Sequence, residues 1–230
     1  MPLIEIVKVS HSYPQTTGRL QVLTDLTVTL NEHRIGVIGA NGSGKSTFAR
    51  LLNGLVLPDS GQVRVDGHDT RRHGSAVRRL VGFCFTDPDA QIVMPTVRED
   101  VMFGLRRRGL AAAEISARAD RAIDEFGLHG YAYHPAHLLS GGQKQLLALA
   151  SVLVTEPELL VMDEPTTLLD LRNAAAVGEI VARLPHQVIL LTHHLDLLTG
   201  FGRVLVFDEG RLVCDDVPER ASAFYRKLMG

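Results

Sequence analysis

A glycine-containing run in the first quarter of the chain has the residue types and the spacing to bind phosphate. The run Gly39–Ser46 fits the pattern G-x-x-x-x-G-K-[ST] at every fixed position. Its glycines let backbone N–H groups turn toward phosphate oxygens, and the helix that follows adds partial positive charge. Lys45 can reach the β- and γ-phosphates, and the Ser46 hydroxyl can ligate Mg²⁺. These residues predict that the chain binds a nucleoside triphosphate.

Two adjacent carboxylates follow an apolar segment that is typical of a buried strand. The apolar residues are Leu159–Met162, and Asp163 and Glu164 come directly after them. Open α/β sheets place ligands at the carboxyl ends of their strands, so we expect both acids near the phosphate loop. Asp163 can then hold Mg²⁺, and Glu164 can polarise an attacking water as general base. An acidic pair in this position can also cap a helix, and the upstream phosphate loop favours the catalytic interpretation.

A histidine ends another apolar segment, Val188–Leu191, after one intervening threonine. If that segment is a parallel strand of the same sheet, His193 lies at the edge that holds the nucleotide. It could contact the γ-phosphate there and respond to its presence. We expect the neighbouring His194 to point elsewhere, and we assign it no role.

The hydrophobic pattern predicts an α/β core that is interrupted by helices. Ile4–Val9 and Val22–Leu30 alternate apolar and polar residues, as half-buried antiparallel strands do, whereas Ile35–Ile38 is continuously apolar like a buried parallel strand. Helical spacing then dominates the middle of the chain before strands and helices alternate again. The predicted helices there are Glu99–Arg107, Ala113–Phe126 and Gly141–Leu153. We therefore expect one domain over residues 1–230, with a helical subdomain inserted at about residues 87–157.

Composition narrows the class of protein. Hydrophobic residues make up 45% of the chain and charged residues 22%, which is ordinary for a globular protein. The formal net charge of −2 gives no support for a nucleic-acid-binding surface. No apolar run approaches the length of a bilayer span. Cys84 and Cys214 are the two cysteines, and we expect reduced thiols in a cytosolic protein.

The order of these motifs resembles that of the ATP-binding cassette (ABC) ATPases. Between the phosphate loop and Asp163 lies Leu139–Gln143, which reads Leu-Ser-Gly-Gly-Gln and matches the signature of that family. The resemblance implies a P-loop NTPase core with an N-terminal antiparallel β-subdomain, ATP and Mg²⁺ as cofactors, and hydrolysis of ATP. It also implies a head-to-tail dimer, of two copies or with a close paralogue, in which Ser140 and Gly142 of one subunit bind the γ-phosphate held by the other.

The resemblance assigns roles residue by residue. Lys45, Glu164 and His193 are the implied catalytic residues, and Tyr13 matches the aromatic residue that stacks on adenine, although it could also be an ordinary edge-strand tyrosine. The implied nucleotide-binding residues are Tyr13, Asn41, Gly42, Ser43, Gly44, Lys45, Ser46, Thr47, Ser140, Gly142 and Asp170.

One position departs from the family pattern. Where ABC ATPases carry a glutamine that reaches the metal and water, this chain has Thr86. Threonine is shorter and has a hydroxyl in place of an amide. We therefore expect Thr86 to contact the metal more weakly than the glutamine, through an added water. The predicted metal-binding residues are then Ser46, Asp163 and Thr86. Gln91 does not fit the motif position.

The segment after Thr86 resembles the ATPases of energy-coupling-factor importers. Pro88–Gln91 and then Val97–Gly104 carry the typical residues. The resemblance implies a transmembrane coupling protein, a substrate-binding membrane subunit and a place at the cytoplasmic face of the membrane. Asp87 and Asp89 could receive arginines of the coupling protein, or they could simply cap and solubilise a turn.

Several alternatives remain open from the sequence. Thr86 and the short C-terminus are similar to biotin-importer ATPases, and a cobalt or nickel importer is the nearest alternative. An export ATPase is disfavoured by the Pro88–Gln91 segment. A soluble ABC protein acting on nucleic acid or the ribosome is disfavoured because the chain has one cassette, no heptad run and no basic excess. The clusters Arg71–His73 and Arg106–Arg108 fit solvated faces.

Overall fold

Two structural units share the chain, and each takes residues from separate stretches of it. The computed structural model describes residues 1–16, 18–106 and 108–230. The first unit comprises Met1–Val81, Glu158–Asp163 and Pro185–Gly230. The second comprises Gly82–Pro157 and Glu164–Leu184.

The strands and helices follow one another along the chain in an α/β order. The strands are β1 (Ile4–Gln15), β2 (Gly18–Leu30), β3 (Arg34–Gly39), β4 (Ser60–Val65), β5 (His68–Asp69), β6 (Val81–Cys84), β7 (Leu159–Asp163), β8 (Gln187–Leu191), β9 (Arg203–Asp208) and β10 (Arg211–Asp216). The helices are α1 (Lys45–Leu52), α2 (Gly74–Leu80), α3 (Val97–Phe103), α4 (Ala112–Glu125), α5 (Gly141–Leu153), α6 (Leu171–Arg183) and α7 (Pro218–Met229).

An antiparallel sheet occupies the N-terminal part of the first unit. Its strand order is β2-β1-β4-β5, so β1 pairs with β2 on one side and with β4 on the other. Ile4 lies opposite Leu30 and also opposite Val65, and all three side chains are fully buried. The alternation of apolar and polar residues thus gives each strand one core face, and the predicted antiparallel β-subdomain is confirmed.

A parallel sheet carries the ends of the chemically important strands in the first unit. β3 lies between β9 and β8, β7 follows β8, and β10 pairs antiparallel with β9. Asp163 at the end of β7 is in register with Leu191 at the end of β8, and Leu191 is in register with Val37 of β3. The carboxyl ends of β3, β7 and β8 therefore meet at one edge of the sheet, as expected for a ligand site.

Helices dominate the second unit, and reciprocal capping boxes begin two of them. Thr96 and Glu99 form a reciprocal capping box at α3, and Ser140 and Gln143 form another at α5. α3 packs against both α4 and α5. Gly104, the residue after α3, lies close to α5, since a Cβ on it would be 3.1 Å from the Ser151 carbonyl oxygen.

The predicted elements agree with the observed ones except near several ends. Gly141–Leu153 is a helix with the predicted bounds, whereas the predicted helix Glu99–Arg107 is α3, Val97–Phe103. Arg107 itself lies outside the described residues. We did not predict α2 or α7, since α2 begins with a glycine and α7 shows no buried residue except Ala221. The boundaries 87–157 for the helical subdomain stay a prediction.

Neither a membrane span nor a disulfide is seen in the part of the chain that the structure describes. No helix there combines the length and the apolar character needed to cross a bilayer. Cys84 and Cys214 are both free thiols. Burial in β6 raises the pKa of Cys84 to about 12, so this thiol stays protonated and unreactive at neutral pH.

Candidate functional site

The phosphate loop connects the end of β3 to the start of α1 in the first unit. Gly44, the residue before α1, has φ 100°, and a Cβ on it would lie 2.7 Å from the Val22 carbonyl oxygen. Only glycine fits that conformation and that close approach. The first N–H groups of α1 have no acceptor within the helix, so the loop and the helix start present donors suited to an anion.

Lys45 is folded back onto this loop. Its side chain is 5% exposed, and Nζ donates to the carbonyl oxygens of Gly39 at 2.8 Å and Ala40 at 2.9 Å. A buried ammonium is stable only when its donors are satisfied, and these carbonyls provide partners within the loop. The charge expected to meet the β- and γ-phosphates is therefore already held inside the phosphate loop.

The two residues assigned to Mg²⁺ in the first unit meet in the fold. Ser46 Oγ donates to Asp163 Oδ1 at 3.0 Å, and the Asp163 side chain is 2% exposed. A hydroxyl and a carboxylate are the oxygen ligands that Mg²⁺ prefers, and it commonly takes one or two of them while substrate phosphates complete its shell. Over the described residues, no group of three or more His, Cys, Asp or Glu side chains could hold a metal alone. This pair fits a metal that arrives with a nucleotide.

Tyr13 lies beside the start of α1. Its hydroxyl is 3.4 Å from Thr47 Oγ1, and the His11 ring packs edge-on against the tyrosine ring at a centroid distance of 4.7 Å. The aromatic residue expected to meet the base is thus adjacent to the loop expected to meet the phosphates. His11 is a neighbour that the sequence analysis missed, although residues two apart on a strand share one face.

His193 follows β8 at the same sheet edge. Thr192 is 1% exposed, and its N–H donates to the Val37 carbonyl at 3.1 Å, which ties this segment to β3. Thr192 Oγ1 also accepts the His194 N–H at 3.0 Å. His193 is exposed, as a residue that meets a ligand must be. The imidazole rings of His193 and His194 have centroids 4.1 Å apart, and the absence of a role for His194 stays a prediction.

Glu164, the first residue of the second unit's later stretch, has an unusual backbone. Its φ is 50°, in the left-handed region that a non-glycine residue seldom adopts. The carboxylate accepts a hydrogen bond from Thr167 Oγ1 at 2.9 Å. Strained backbone of this kind is concentrated at functional sites, where surrounding contacts maintain it. Thr167 was missed from sequence, although its spacing of three from Glu164 could have indicated a local hydrogen bond.

The signature residues begin α5 in the second unit. Ser140 Oγ accepts the Gln143 N–H at 3.3 Å as the helix cap. Gly142 is buried, and a Cβ on it would lie 2.5 Å from Asn173 Cγ, so a larger residue would displace Asn173. Asp170 holds Asn173 through the backbone N–H at 2.8 Å and the side-chain amide at 3.0 Å. The structure therefore links Gly142 to Asp170 through Asn173, which the sequence analysis did not single out.

Thr86 and Gln91 lie on the segment after β6. Thr86 is partly buried two residues beyond the strand end. Gln91 Oε1 accepts the Phe85 N–H at 3.2 Å, and its Nε2 donates to the Ala148 carbonyl of α5 at 2.8 Å. The side chain of Gln91 thus ties this segment to a helix of its own unit.

The two aspartates of this segment are both engaged within the second unit. Asp87 Oδ1 accepts the Asp89 N–H at 2.9 Å and caps the 3-10 turn Pro88–Ala90. Asp89 pairs with Lys144 of α5 at 2.7 Å, and its side chain is 60% exposed. Asp87 has the turn-capping role that the sequence analysis offered as the alternative, and Asp89 keeps an open side.

The predicted site residues therefore fall into two groups. The first unit brings together the phosphate loop with Lys45 and Ser46, the carboxylate of Asp163, and Tyr13, and it places His193 at the same sheet edge. The second unit carries the remaining predicted residues: Thr86, Ser140, Gly142, Glu164 and Asp170. A phosphate loop after β3 together with a carboxylate at the end of β7 defines the class of P-loop nucleotide-binding proteins.

Comparison with known proteins places the chain within that class. A family model described as ABC transporter matches residues 23–167. The chain therefore belongs to the ABC transporter family, and it is an ABC ATPase whose cofactors are ATP and Mg²⁺.

Three similar proteins narrow the comparison. The chain is 50% identical to the biotin transport ATP-binding protein BioM of Rhizobium etli, over 92% of this chain and 94% of that protein. It is 41% identical to the energy-coupling factor transporter ATP-binding protein EcfA of Methanosarcina acetivorans, over 94% of this chain and 80% of that protein. The chain is also similar to the solved structure of cbiO1 from Clostridium perfringens, part of the ABC transporter complex cbiONQ. The match covers 98% of this chain and 92% of that chain, with 30% sequence identity and a TM-score of 0.82.

Proposed function

We propose that this chain is the ATP-hydrolysing subunit that powers an energy-coupling-factor importer, with biotin as the transported substrate. The observation that carries the ATPase part is the Ser46–Asp163 contact at the mouth of the phosphate loop. The importer and the substrate are supported by the relatives named for an energy-coupling factor and for biotin transport. A cobalt or nickel importer is the alternative of the same group.

The proposed mechanism assigns each residue one step. Lys45 and the loop N–H groups would bind the β- and γ-phosphates, and Ser46 and Asp163 would hold Mg²⁺, which would supply positive charge to those phosphates. Glu164 orients the attacking water and accepts its proton, and Thr167 holds the carboxylate in place. His193 contacts the γ-phosphate from the end of β8. Thr86 would contribute more weakly to holding the metal.

We further propose that two subunits close head to tail on two ATP molecules. Ser140 and Gly142 begin a helix, and helix N-terminal N–H groups are suited to the γ-phosphate held by the other subunit. The exposed Leu168 and Leu171 flank Asp170 and fit a surface that a second subunit covers. The dimer consists of two copies of this chain or of this chain with a close paralogue.

The proposed place of action is the cytoplasmic face of the membrane, beside a transmembrane coupling protein and a substrate-binding membrane subunit. Support comes from the open side of Asp89, which can receive a guanidinium group of a coupling helix. None of the three relatives above has a name that points to nucleic acid or the ribosome, and the chain's charge of −2 does not favour such a partner.

The decisive experiment is affinity purification of the tagged chain from detergent-solubilised native membranes, with mass spectrometry of the co-purified proteins. We expect a small coupling protein and one substrate-binding membrane protein. Uptake of labelled biotin by the reconstituted complex, and its loss in Glu164→Gln, then tests the substrate. Uptake of Co²⁺ or Ni²⁺ instead would replace biotin as substrate, and recovery of ribosomal proteins would overturn the importer.

A further inference from the structure

Three polar contacts join one face of the signature helix α5 to the segment Phe85–Asp100 within the second unit. On the helix they involve Lys144, Ala148 and Ser151. These positions are spaced by four and then three residues, so they lie on a single helical face. We call the three contacts the clasp.

The outer contact of the clasp is an ion pair between an exposed aspartate and a lysine whose side chain is only 16% exposed. Lys144 Nζ is 2.7 Å from Asp89 Oδ1, and the aspartate side chain is 60% exposed. Water and salt screen the exposed carboxylate of this pair, so Asp89 can accept a second cation on its open side.

In the middle contact, the side-chain amide of Gln91 connects the backbone of the segment to the backbone of α5. One end of the amide accepts the Phe85 N–H, and the other donates to the Ala148 carbonyl. Phe85 is the residue before Thr86, so Gln91 fixes the backbone immediately ahead of the metal-associated position. A side chain of similar length without an amide would leave both backbone groups without this partner.

The inner contact depends on Asp100, which is 4% exposed. Its Oδ1 accepts the N–H groups of Val93 at 2.9 Å and Met94 at 3.0 Å, and its Oδ2 accepts the Ser151 hydroxyl at 2.8 Å. A buried carboxylate is retained only when hydrogen bonds satisfy it, and these three donors come from two separate parts of the unit. Asp100 therefore fixes the end of the segment to the far end of the same helical face.

We infer that Gln91 and Asp100 are positioning residues that make the segment Phe85–Met94 and the signature helix move as one piece. A displacement of the segment is then transmitted along α5 to Ser140 and Gly142 at its start. The inference deepens the proposed function and rests on it only in assuming that a membrane partner displaces the segment. The connection itself is a property of the second unit alone.

Amide hydrogen exchange of the full-length chain tests the connection without any partner. Gln91→Met keeps the side-chain length and removes both hydrogen bonds. We expect it to accelerate exchange by about fivefold or more not only in 85–94 but also in the first two turns of α5. Gln62→Leu is the matched control, because Gln62 donates one part-buried side-chain hydrogen bond in the first unit. It should leave α5 unchanged.

Two further variants keep the test decisive if Gln91→Met does not fold. Ser151→Ala removes a single hydroxyl from the inner contact and should accelerate exchange at the start of α5 in the same sense. Asp100→Asn can still accept two N–H groups and donate to Ser151, so it should retain nearly wild-type exchange. Faster exchange confined to residues 85–94 in both Gln91→Met and Ser151→Ala would overturn the inference.

Steady-state hydrolysis by the assembled transporter adds a second readout. We expect Gln91→Met to lower kcat by about tenfold and to leave the affinity for ATP, measured by calorimetry, within twofold, since the phosphate loop is untouched. Asp100→Asn should restore most of the turnover that Asp100→Ala loses. If the wild-type complex cannot be assembled, the proposed function fails, while the exchange data still decide whether the clasp connects the segment to α5.

Discussion

At the residue scale, the site includes side chains that short hydrogen bonds hold in place. Ser46 meets Asp163 at 3.0 Å, Lys45 is held by two loop carbonyls, and Glu164 is held by Thr167 at 2.9 Å. A substitution that keeps the length of a side chain but changes its acid–base chemistry should therefore preserve ATP binding and lower the rate of hydrolysis. This separation of binding from chemistry makes the roles testable one at a time.

Glu164→Gln should slow ATP hydrolysis by about a hundredfold or more and leave ATP affinity unchanged. Glutamine has nearly the same shape and can still accept the Thr167 hydroxyl, but it cannot take a proton from water. Turnover by phosphate release and affinity by calorimetry measure the two effects. Glu158→Gln, an exposed acid just before the start of β7, is the control and should behave as wild type. Full activity in Glu164→Gln would refute the assignment of the general base.

Thr86→Ala should lower both the ATPase rate and the transport rate by several-fold, about threefold to tenfold. The reason is that the proposed water-extended contact with Mg²⁺ needs the hydroxyl. Hydrolysis and uptake by the assembled transporter are the measurements, with Thr27→Ala on the antiparallel sheet as a control. If both rates are unchanged, Thr86 has no part in the site.

At the element scale, a carboxylate ties β1 and β2 to the start of β4. Asp59 Oδ2 accepts the Ser12 N–H at 2.8 Å and the Ser12 hydroxyl at 2.7 Å, and Arg19 donates to the same oxygen. The Ser12 hydrogen bonds, with Arg19 adding to them, lower the pKa of Asp59 to about 2. These contacts connect strands that the sequence separates widely.

The lowered pKa of Asp59 predicts a pH dependence of stability with a definite sign. A folded-state pKa below the ordinary value of 3.8 means that the stabilisation is fully present above that value and is lost as pH falls toward about 2. The Asp59→Asn protein should lack this pH-dependent stabilisation. Thermal midpoints of the two proteins should therefore differ most near neutral pH and converge between about pH 4 and pH 2. Asp124→Asn, on the exposed face of α4, should show no such convergence, and a constant difference for Asp59→Asn would contradict the prediction.

At the scale of the whole molecule, the site residues are divided between two units of one chain. The first unit holds the phosphate loop and Asp163, and the second holds the signature residues and Glu164. In the proposed head-to-tail dimer, Ser140 and Gly142 of one subunit would meet the nucleotide that Lys45 of the other subunit holds.

ATP should drive formation of this dimer when hydrolysis is blocked. The Glu164→Gln chain with Mg²⁺ and ATP should elute at about twice the 25.1 kDa chain mass in size-exclusion chromatography with light scattering. The same variant with ADP is the control and should stay monomeric, because ADP lacks the γ-phosphate that Ser140 and Gly142 would bind. A monomer under both conditions would contradict the homodimer and favour assembly with a paralogue.

Much of the fold and the site was predictable because the relevant signals are local. The phosphate loop, the α5 capping box of Ser140 and Gln143, and the acidic pair after β7 each depend on residues within a few positions of one another. Local spacing does not report how a turn orients two neighbouring side chains, such as the rings of His193 and His194, whose centroids are 4.1 Å apart. It also does not report that Gln91 reaches the Ala148 carbonyl of α5.

The sequence by itself determined the chemistry: a triphosphate-binding loop, a metal-binding serine, two carboxylates and a signature that identifies the family. The tertiary structure decided which of these residues meet. Ser46 and Asp163 are 117 positions apart, and Gln91 and the Ala148 carbonyl are 57 apart. Such contacts are set by strand register and helix packing, which arise from burial of the whole core and not from any short segment. For that reason the contacts of Gln91 could be found only in the folded chain, whereas the phosphate-binding role of Lys45 is a prediction from the loop pattern.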